Sequence, residues 1–188
     1  MTRVFIIHRW SGGPNDDWRP WLKTELEQRG YQVYLLTMPD TETPTINNWV
    51  QHLASSVGTP DNQTYFIGHS IGCQTILRYL ETINVPVGGA LFVAGWFNLE
   101  NLEDAETITT ANPWITTPIN LPKVKSVLKK STAILSDNDP FDALAENKEK
   151  FSALSANILI LPNAGHITAD DGFIKAPIIL QEFLKLTE

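Results

Sequence analysis

Thr64-Tyr65-Phe66-Ile67-Gly68-His69-Ser70-Ile71-Gly72-Cys73-Gln74-Thr75-Ile76-Leu77-Arg78-Tyr79-Leu80 reads as a short apolar strand, a sharp turn and a helix, with a serine at the apex. A turn of this kind holds a hydroxyl clear of the backbone in a strained conformation that tolerates only small residues two positions to either side. Gly68 and Gly72 occupy those positions. The turn also aims the backbone N–H of Ile71 and the start of the helix at Ser70, where an oxyanion would develop. With glycine and serine each near 7% of residues, the three fixed positions arise by chance roughly 0.06 times in a chain of this length. The bland alternative is a Gly-rich turn with a helix-capping serine. The two readings separate on whether Ser70 has partners elsewhere.

Outward from this stretch, apolar runs at 3–8, 31–36, 63–67, 89–93, 132–135 and 157–161 lack clean alternation, as strands buried on both faces of a parallel sheet do. Helical spacing lies between most of them, at 16–29, 45–57, 71–82, 141–154 and 174–186. In the first, Asn15 or Asp16 reads as the cap and Gly30 as the stop. The alternation predicts an α/β fold with helices on both faces of the sheet. Residues 95–121 interrupt it: Trp96, Phe97, Trp114, two prolines and a Thr-rich acidic middle show no sustained helical period. A connection of this length reads as a lid or substrate wall beside the crevice at the strands' carboxyl ends.

The 188 residues, 43% of them apolar and 10% aromatic, suit one domain spanning 1–188 with a single sizeable core. A net charge of −7 without a basic run argues against nucleic acid or an anionic membrane as partner. The lysines between 123 and 130 read as the solvated face of a helix. No window has the length of a membrane span, and the N-terminal run reads as a strand rather than a signal peptide, so the expected location is cytoplasmic. The single cysteine, Cys73, excludes an internal disulfide and a multi-cysteine metal site, and it reads as a small core residue.

A nucleophilic serine needs a base and a carboxylate that orients it. Of the four histidines, His8 ends the first strand, His52 lies in a helix, and His69 sits inside the turn with its ring expected to point away from Ser70. His166, in Leu161-Pro162-Asn163-Ala164-Gly165-His166, follows the last strand on the same side of the sheet as Ser70. Ser136-Asp137-Asn138-Asp139-Pro140-Phe141 follows the preceding strand. There Asp139, extended by Pro140 and farther out, is favoured as the orienting carboxylate, with Asp137 as a turn-capping residue. The chain order Ser70, Asp139, His166 is that of the α/β hydrolases. The loop after the first strand, His8-Arg9-Trp10-Ser11-Gly12-Gly13, offers a second oxyanion donor, the backbone N–H of Trp10 or, second, of Arg9. It has no GxGxxG spacing, which argues against dinucleotide binding.

Ile6-Ile7-His8, Asp16-Asp17-Trp18-Arg19-Pro20-Trp21-Leu22, Met38-Pro39, Asn48-Trp49, the pentapeptide around Ser70, Arg78-Tyr79-Leu80 and the later Asp139 and His166 segments together resemble the small serine hydrolases related to retinoblastoma-binding protein nine and the bacterial YdeN proteins. The resemblance covers nearly the whole chain. It implies a six-stranded sheet of order 2-1-3-4-5-6 without a large cap domain, and Ser70, Asp139 and His166 as the catalytic triad. Where many α/β hydrolases have glycine after the first-strand histidine, this chain has Arg9.

The expected activity is hydrolysis of a small carboxylic ester, or an amide, with no cofactor and no metal. Trp96, Phe97, Trp114 and Phe141 are candidates for the pocket wall. Two other readings use the same residues or the same fold: an acyltransferase with this triad, and a non-catalytic protein-binding or regulatory module. A protein partner is left open.

Overall fold

Along β1 (Arg3–Ile7), Val4 and Ile6 join one buried cluster while Phe5 and Ile7 join another on the opposite face of the sheet. That two-sided burial is why the strand reads as an unbroken apolar run. The computed structural model describes residues 1–188. Its other strands are β2 (Gln32–Leu35), β3 (Thr64–His69), β4 (Gly89–Val93), β5 (Ser131–Ser136) and β6 (Asn157–Leu161). All pair in parallel, in the order β2-β1-β3-β4-β5-β6. The register sets Phe5 beside Phe66, Ile67 beside Leu91 and Ile134 beside Leu159.

Helices α1 (Arg19–Glu27) and α7 (Pro177–Thr187) close one face, where Leu22, Leu26, Ile179 and Phe183 pack with Trp18 on Val4, Ile6 and Ile67. Helices α2 (Ile46–Val57), α3 (Ile71–Thr82), α5 (Leu121–Val127) and α6 (Leu144–Ala153) close the other with Trp49, Leu53, Ile76, Leu80, Val124 and Phe151. Residues 71–80 of α3 are all buried, so its polar side chains must find partners inside the protein. Gln74 donates to the Trp96 carbonyl at 3.1 Å, and Arg78 Nη2 donates to the carbonyls of Trp114 and Thr117, both at 2.8 Å. These bonds seat the chain that follows β4. No helix is long and apolar enough to cross a membrane.

Three helix starts and one loop differ from the sequence reading. Helix α1 begins at Arg19 rather than at Asp16, because the Asp16 carboxylate turns back to accept the Gly13 N–H at 2.7 Å and Asp17 takes a left-handed φ of 54°. Helix α6 begins at Leu144 rather than at 141, since Asp139 spends its carboxylate on a tight turn and accepts the Phe141 N–H at 3.1 Å. Helix α7 begins at Pro177 rather than at 174, after a turn in which Asp171 accepts from Thr168. Within 95–121 lies a further helix, α4 (Ala105–Thr116), capped by Asp104 accepting the Thr107 N–H at 2.7 Å. Its β-branched threonines and Pro113 lower intrinsic helix propensity, and only Ala111 and Trp114 of it are buried, which is too few to print a period on the sequence.

Candidate active site

Ser70 joins β3 to α3 with φ 55° and ψ −121°, a conformation that costs a non-glycine residue about 1–3 kcal/mol. The turn persists because its surroundings fix it: the Ser70 N–H donates to the Val93 carbonyl and its own carbonyl accepts from Cys73 N–H, each at 2.9 Å. A Cβ at Gly68 would stand 2.7 Å from the Cys73 nitrogen, and one at Gly72 would stand 2.5 Å from the Ile7 carbonyl oxygen. Only hydrogen fits at either position, so the glycines let α3 start hard against the end of β1. Ser70 Oγ accepts a hydrogen bond from the indole Nε1–H of Trp96 at 3.3 Å. Cys73, one turn on, is buried, and burial pushes its thiol up, away from the reactive thiolate.

The loop after β5 holds the loop after β6 residue by residue. Ser136 Oγ accepts from Ala164 N–H at 3.1 Å, Asp137 from Asn163 N–H at 2.7 Å and Asn138 from Gly165 N–H at 2.8 Å. Asp139 Oδ2 then lies 2.7 Å from His166 Nδ1. The Asp139 carboxylate is 2% exposed, so His166 Nδ1 carries the proton toward it and Nε2 keeps the lone pair. The His166 ring is flanked by His69, stacked at 5.5 Å, and by Phe141, edge-on at 5.7 Å. The next residue, Ile167, is buried with φ 56°, a rare conformation for a β-branched side chain.

On the first-strand loop, His8 donates from Nδ1 to the Arg9 carbonyl at 2.7 Å and accepts the Met38 N–H on Nε2 at 3.1 Å. His8 therefore anchors the loop. Burial holds its pKa below the ordinary value, consistent with this neutral tautomer. The Trp10 N–H makes no hydrogen bond within the protein, and Ile71, first in α3, has no acceptor within its helix. His52, on α2, is not part of the site.

Ser70 and His166 open onto one cleft of about 600 Å³, together with Arg9, Trp10, Trp96, Leu99, Leu102, Pro140 and Phe141. Asp104, Glu106, Thr107 and Thr110 from the start of α4 form one wall, so the long connection does border the cleft. Of the four aromatic candidates, Trp96 and Phe141 lie on this cleft and Phe97 and Trp114 do not. Phe97 packs edge-on against Phe151 at 4.9 Å. Trp114 is buried against Trp49 with its Nε1–H on the Pro44 carbonyl at 3.0 Å. Trp114 is thus part of the core, and Phe97 packs against the core's edge. No group of three or more His, Cys, Asp or Glu side chains is placed to hold a metal ion.

Behind the cleft lies a buried constellation to which the sequence reading assigned no role. Arg19 Nη1 donates to His69 Nδ1 at 3.0 Å, so His69 carries its proton on Nε2 and donates it to the carbonyl oxygen of His166 at 2.9 Å. Asp17 Oδ1 accepts the Ala169 N–H at 2.9 Å, and Oδ2 accepts from Arg9 Nε at 3.1 Å. Arg19 Nη2 stands 3.0 Å from the same Oδ2, at ion-pair distance but off hydrogen-bond alignment. Burial would raise the Asp17 pKa, but the Ala169 N–H and the two guanidinium groups outweigh it and hold the carboxyl below its usual range. Burial, then the neighbouring His166 and Arg19, hold His69 well below its ordinary pKa, so it is neutral.

The family model described as serine hydrolase matches residues 4–185. The putative hydrolase YdeN of Bacillus subtilis (strain 168) is 29% identical over 183 residues, covering 95% of this chain and 93% of that protein. The serine hydrolase RBBP9 of Rattus norvegicus is 27% identical over 168 residues, covering 88% and 87%. The crystal structure of the B. subtilis ydeN gene product superposes with a TM-score of 0.90 at 26% identity, covering 99% of this chain and 98% of that one.

Asp142 stands beside this site with its carboxyl pushed up to about 6 by burial, with Asp139 adding to the effect; a hydrogen bond from Asn147 opposes it. A carboxyl raised in the folded state binds more protons folded than unfolded between its ordinary value near 3.8 and about 6, so stability falls as pH rises through that window. Asp142→Asn removes this loss while keeping an acceptor for Asn147. We expect the variant to exceed the wild type in unfolding free energy at pH 7.5 by roughly 1 kcal/mol, after discounting for the group's partial exposure. The difference should vanish near pH 4 in urea titrations.

Proposed function

The chain belongs to the serine hydrolase family, and from that premise we propose that it cleaves small carboxylic esters through an acyl-enzyme formed on Ser70. The observation that carries this reading is the pairing, on one cleft, of a serine in a strained elbow with a histidine whose Nδ1 lies 2.7 Å from a buried carboxylate. With Asp139 on Nδ1–H, His166 Nε2 is the base. Ser70 Oγ bonds to the ester carbonyl carbon as its proton passes to Nε2, and the carbonyl electron pair moves onto oxygen. The N–H groups of Ile71 and Trp10 receive that oxyanion. The Trp96 indole N–H on Oγ favours the charge that grows there as the proton leaves. Collapse breaks the bond to the alcohol oxygen, which takes the proton from Nε2. Water then repeats the sequence on the acyl-enzyme and releases the acid. Amides and acyl transfer would use the same groups.

The cleft also points to a charge preference. Glu42, Asp104, Glu106, Asp170 and Asp171 border it against one cation, Arg9, which is paired with Asp17. Its apolar lining of Trp10, Leu99, Leu102 and Phe141 suits an alkyl or aryl group. Neutral esters, and esters carrying an ammonium group, should enter against less electrostatic work than carboxylate-bearing ones.

Ser70→Ala should lower turnover of p-nitrophenyl butyrate by at least about 10³-fold without lowering the melting temperature, and a fluorophosphonate probe should label the wild type only. Turnover that survives in folded Ser70→Ala protein would remove Ser70 from the chemistry. Between matched esters, kcat/KM should favour the ammonium-bearing over the carboxylate-bearing one by about tenfold at low ionic strength, and the ratio should shrink toward unity in high salt.

A further inference from the structure

We propose that Asp17, Trp18 and Arg19, acting with His69, form a buried clamp that positions the base loop, and with it His166, relative to Ser70. This rests on the hydrolase reading above. The clamp makes four contacts to the base loop or to the histidine that reaches it. The Trp18 indole donates to the Ile167 carbonyl at 3.1 Å, Asp17 accepts from the Ala169 N–H, and Arg19 orients His69, whose Nε2–H reaches the carbonyl of His166 itself. The side chains of Asp17 and Arg19 are 2% and 0% exposed. Two charges held this deep are costly unless they pair with each other and with fixed dipoles; beyond their mutual contact, Asp17 reaches Arg9 and Ala169 and Arg19 reaches His69.

The arrangement bears on function and not on packing alone because of what it connects. Asp17 Oδ2 holds Arg9, next to the proposed oxyanion donor Trp10. His69 is next to Ser70 on the elbow. Ile167 keeps its left-handed φ with its carbonyl tied to Trp18. The β5 loop fixes the base loop from one side through Ser136, Asp137, Asn138 and Asp139; the clamp fixes it from the other. His166 is thereby restrained through its ring by Asp139 and through its backbone by His69.

The test compares wild type with His69→Phe, His69→Gln and Trp18→Phe. Gln carries an amide N–H at the reach of the imidazole Nε2 and can still donate to the His166 carbonyl, whereas Phe cannot. We expect His69→Phe to lower kcat on p-nitrophenyl butyrate by about tenfold or more with KM changed less than about twofold, and His69→Gln to recover most of that loss. Amide hydrogen exchange across residues 164–169 should quicken by about tenfold in His69→Phe and in Trp18→Phe, while β3 and β4 keep their protection. Unchanged exchange in this loop in Trp18→Phe, or a folded His69→Phe enzyme with wild-type kcat, would overturn the clamp. If the wild type neither turns over esters nor takes the fluorophosphonate, the hydrolase reading fails. The exchange measurement then still decides whether these residues hold the loop.

Discussion

The start of α3 lies so close to the end of β1 that the space at Gly72 admits only a hydrogen atom, with the Ile7 carbonyl oxygen 2.5 Å from where a Cβ would be. This close approach governs the rest of the architecture. It holds Ser70 in a turn of positive φ between β3 and α3, with its side chain on the cleft. The strain of one serine is small against the burial of α3, ten of whose residues are buried. A fold that seats its central helix this tightly can keep a strained turn at its centre without losing the helix.

Around this point the site is assembled from loops that have no regular structure of their own. Each is held by side chains from another. The β5 loop supplies acceptors for successive amides of the β6 loop, Asp17 ties the β1 loop to Ala169, and Trp96 reaches back to Ser70 Oγ. Loops held in this way reach the geometric precision that regular elements otherwise provide. The helix α4 adds a wall that carries Asp104 and Glu106.

The strands, most of the helices, and the positions of Ser70, Asp139 and His166 at strand ends were legible because each has a local signature: an apolar run, a cap, a Gly-flanked turn, an aspartate before proline. The buried constellation was not. Arg19 to His69, His69 to His166, Trp18 to Ile167 and Asp17 to Ala169 span 50, 97, 149 and 152 residues, and nothing in the vicinity of either partner announces the other. The Asp16-Asp17-Trp18-Arg19 segment stood out as a motif, yet Asp16 read as a candidate helix cap and Asp17 had no role of its own. Aromatic side chains misled in a related way. Phe97 and Trp114 share composition and loop with Trp96, but which side an aromatic faces depends on the backbone path, and α4 turns Trp114 into the core. That path was hidden by threonines and Pro113, which weaken the helical signal without preventing a helix already held at its end by Arg78.

The central claim is that an acyl group passes through Ser70. Mass spectrometry of protein quenched in acid during steady turnover of p-nitrophenyl acetate tests it directly, because an ester on a serine survives acid and peptide mapping. The account predicts an added mass of one acetyl group, confined to the peptide bearing Ser70 and absent from Ser70→Ala. Turnover with the acyl group on another residue, or with no adduct when deacylation has been slowed by cold and low pH, would contradict it.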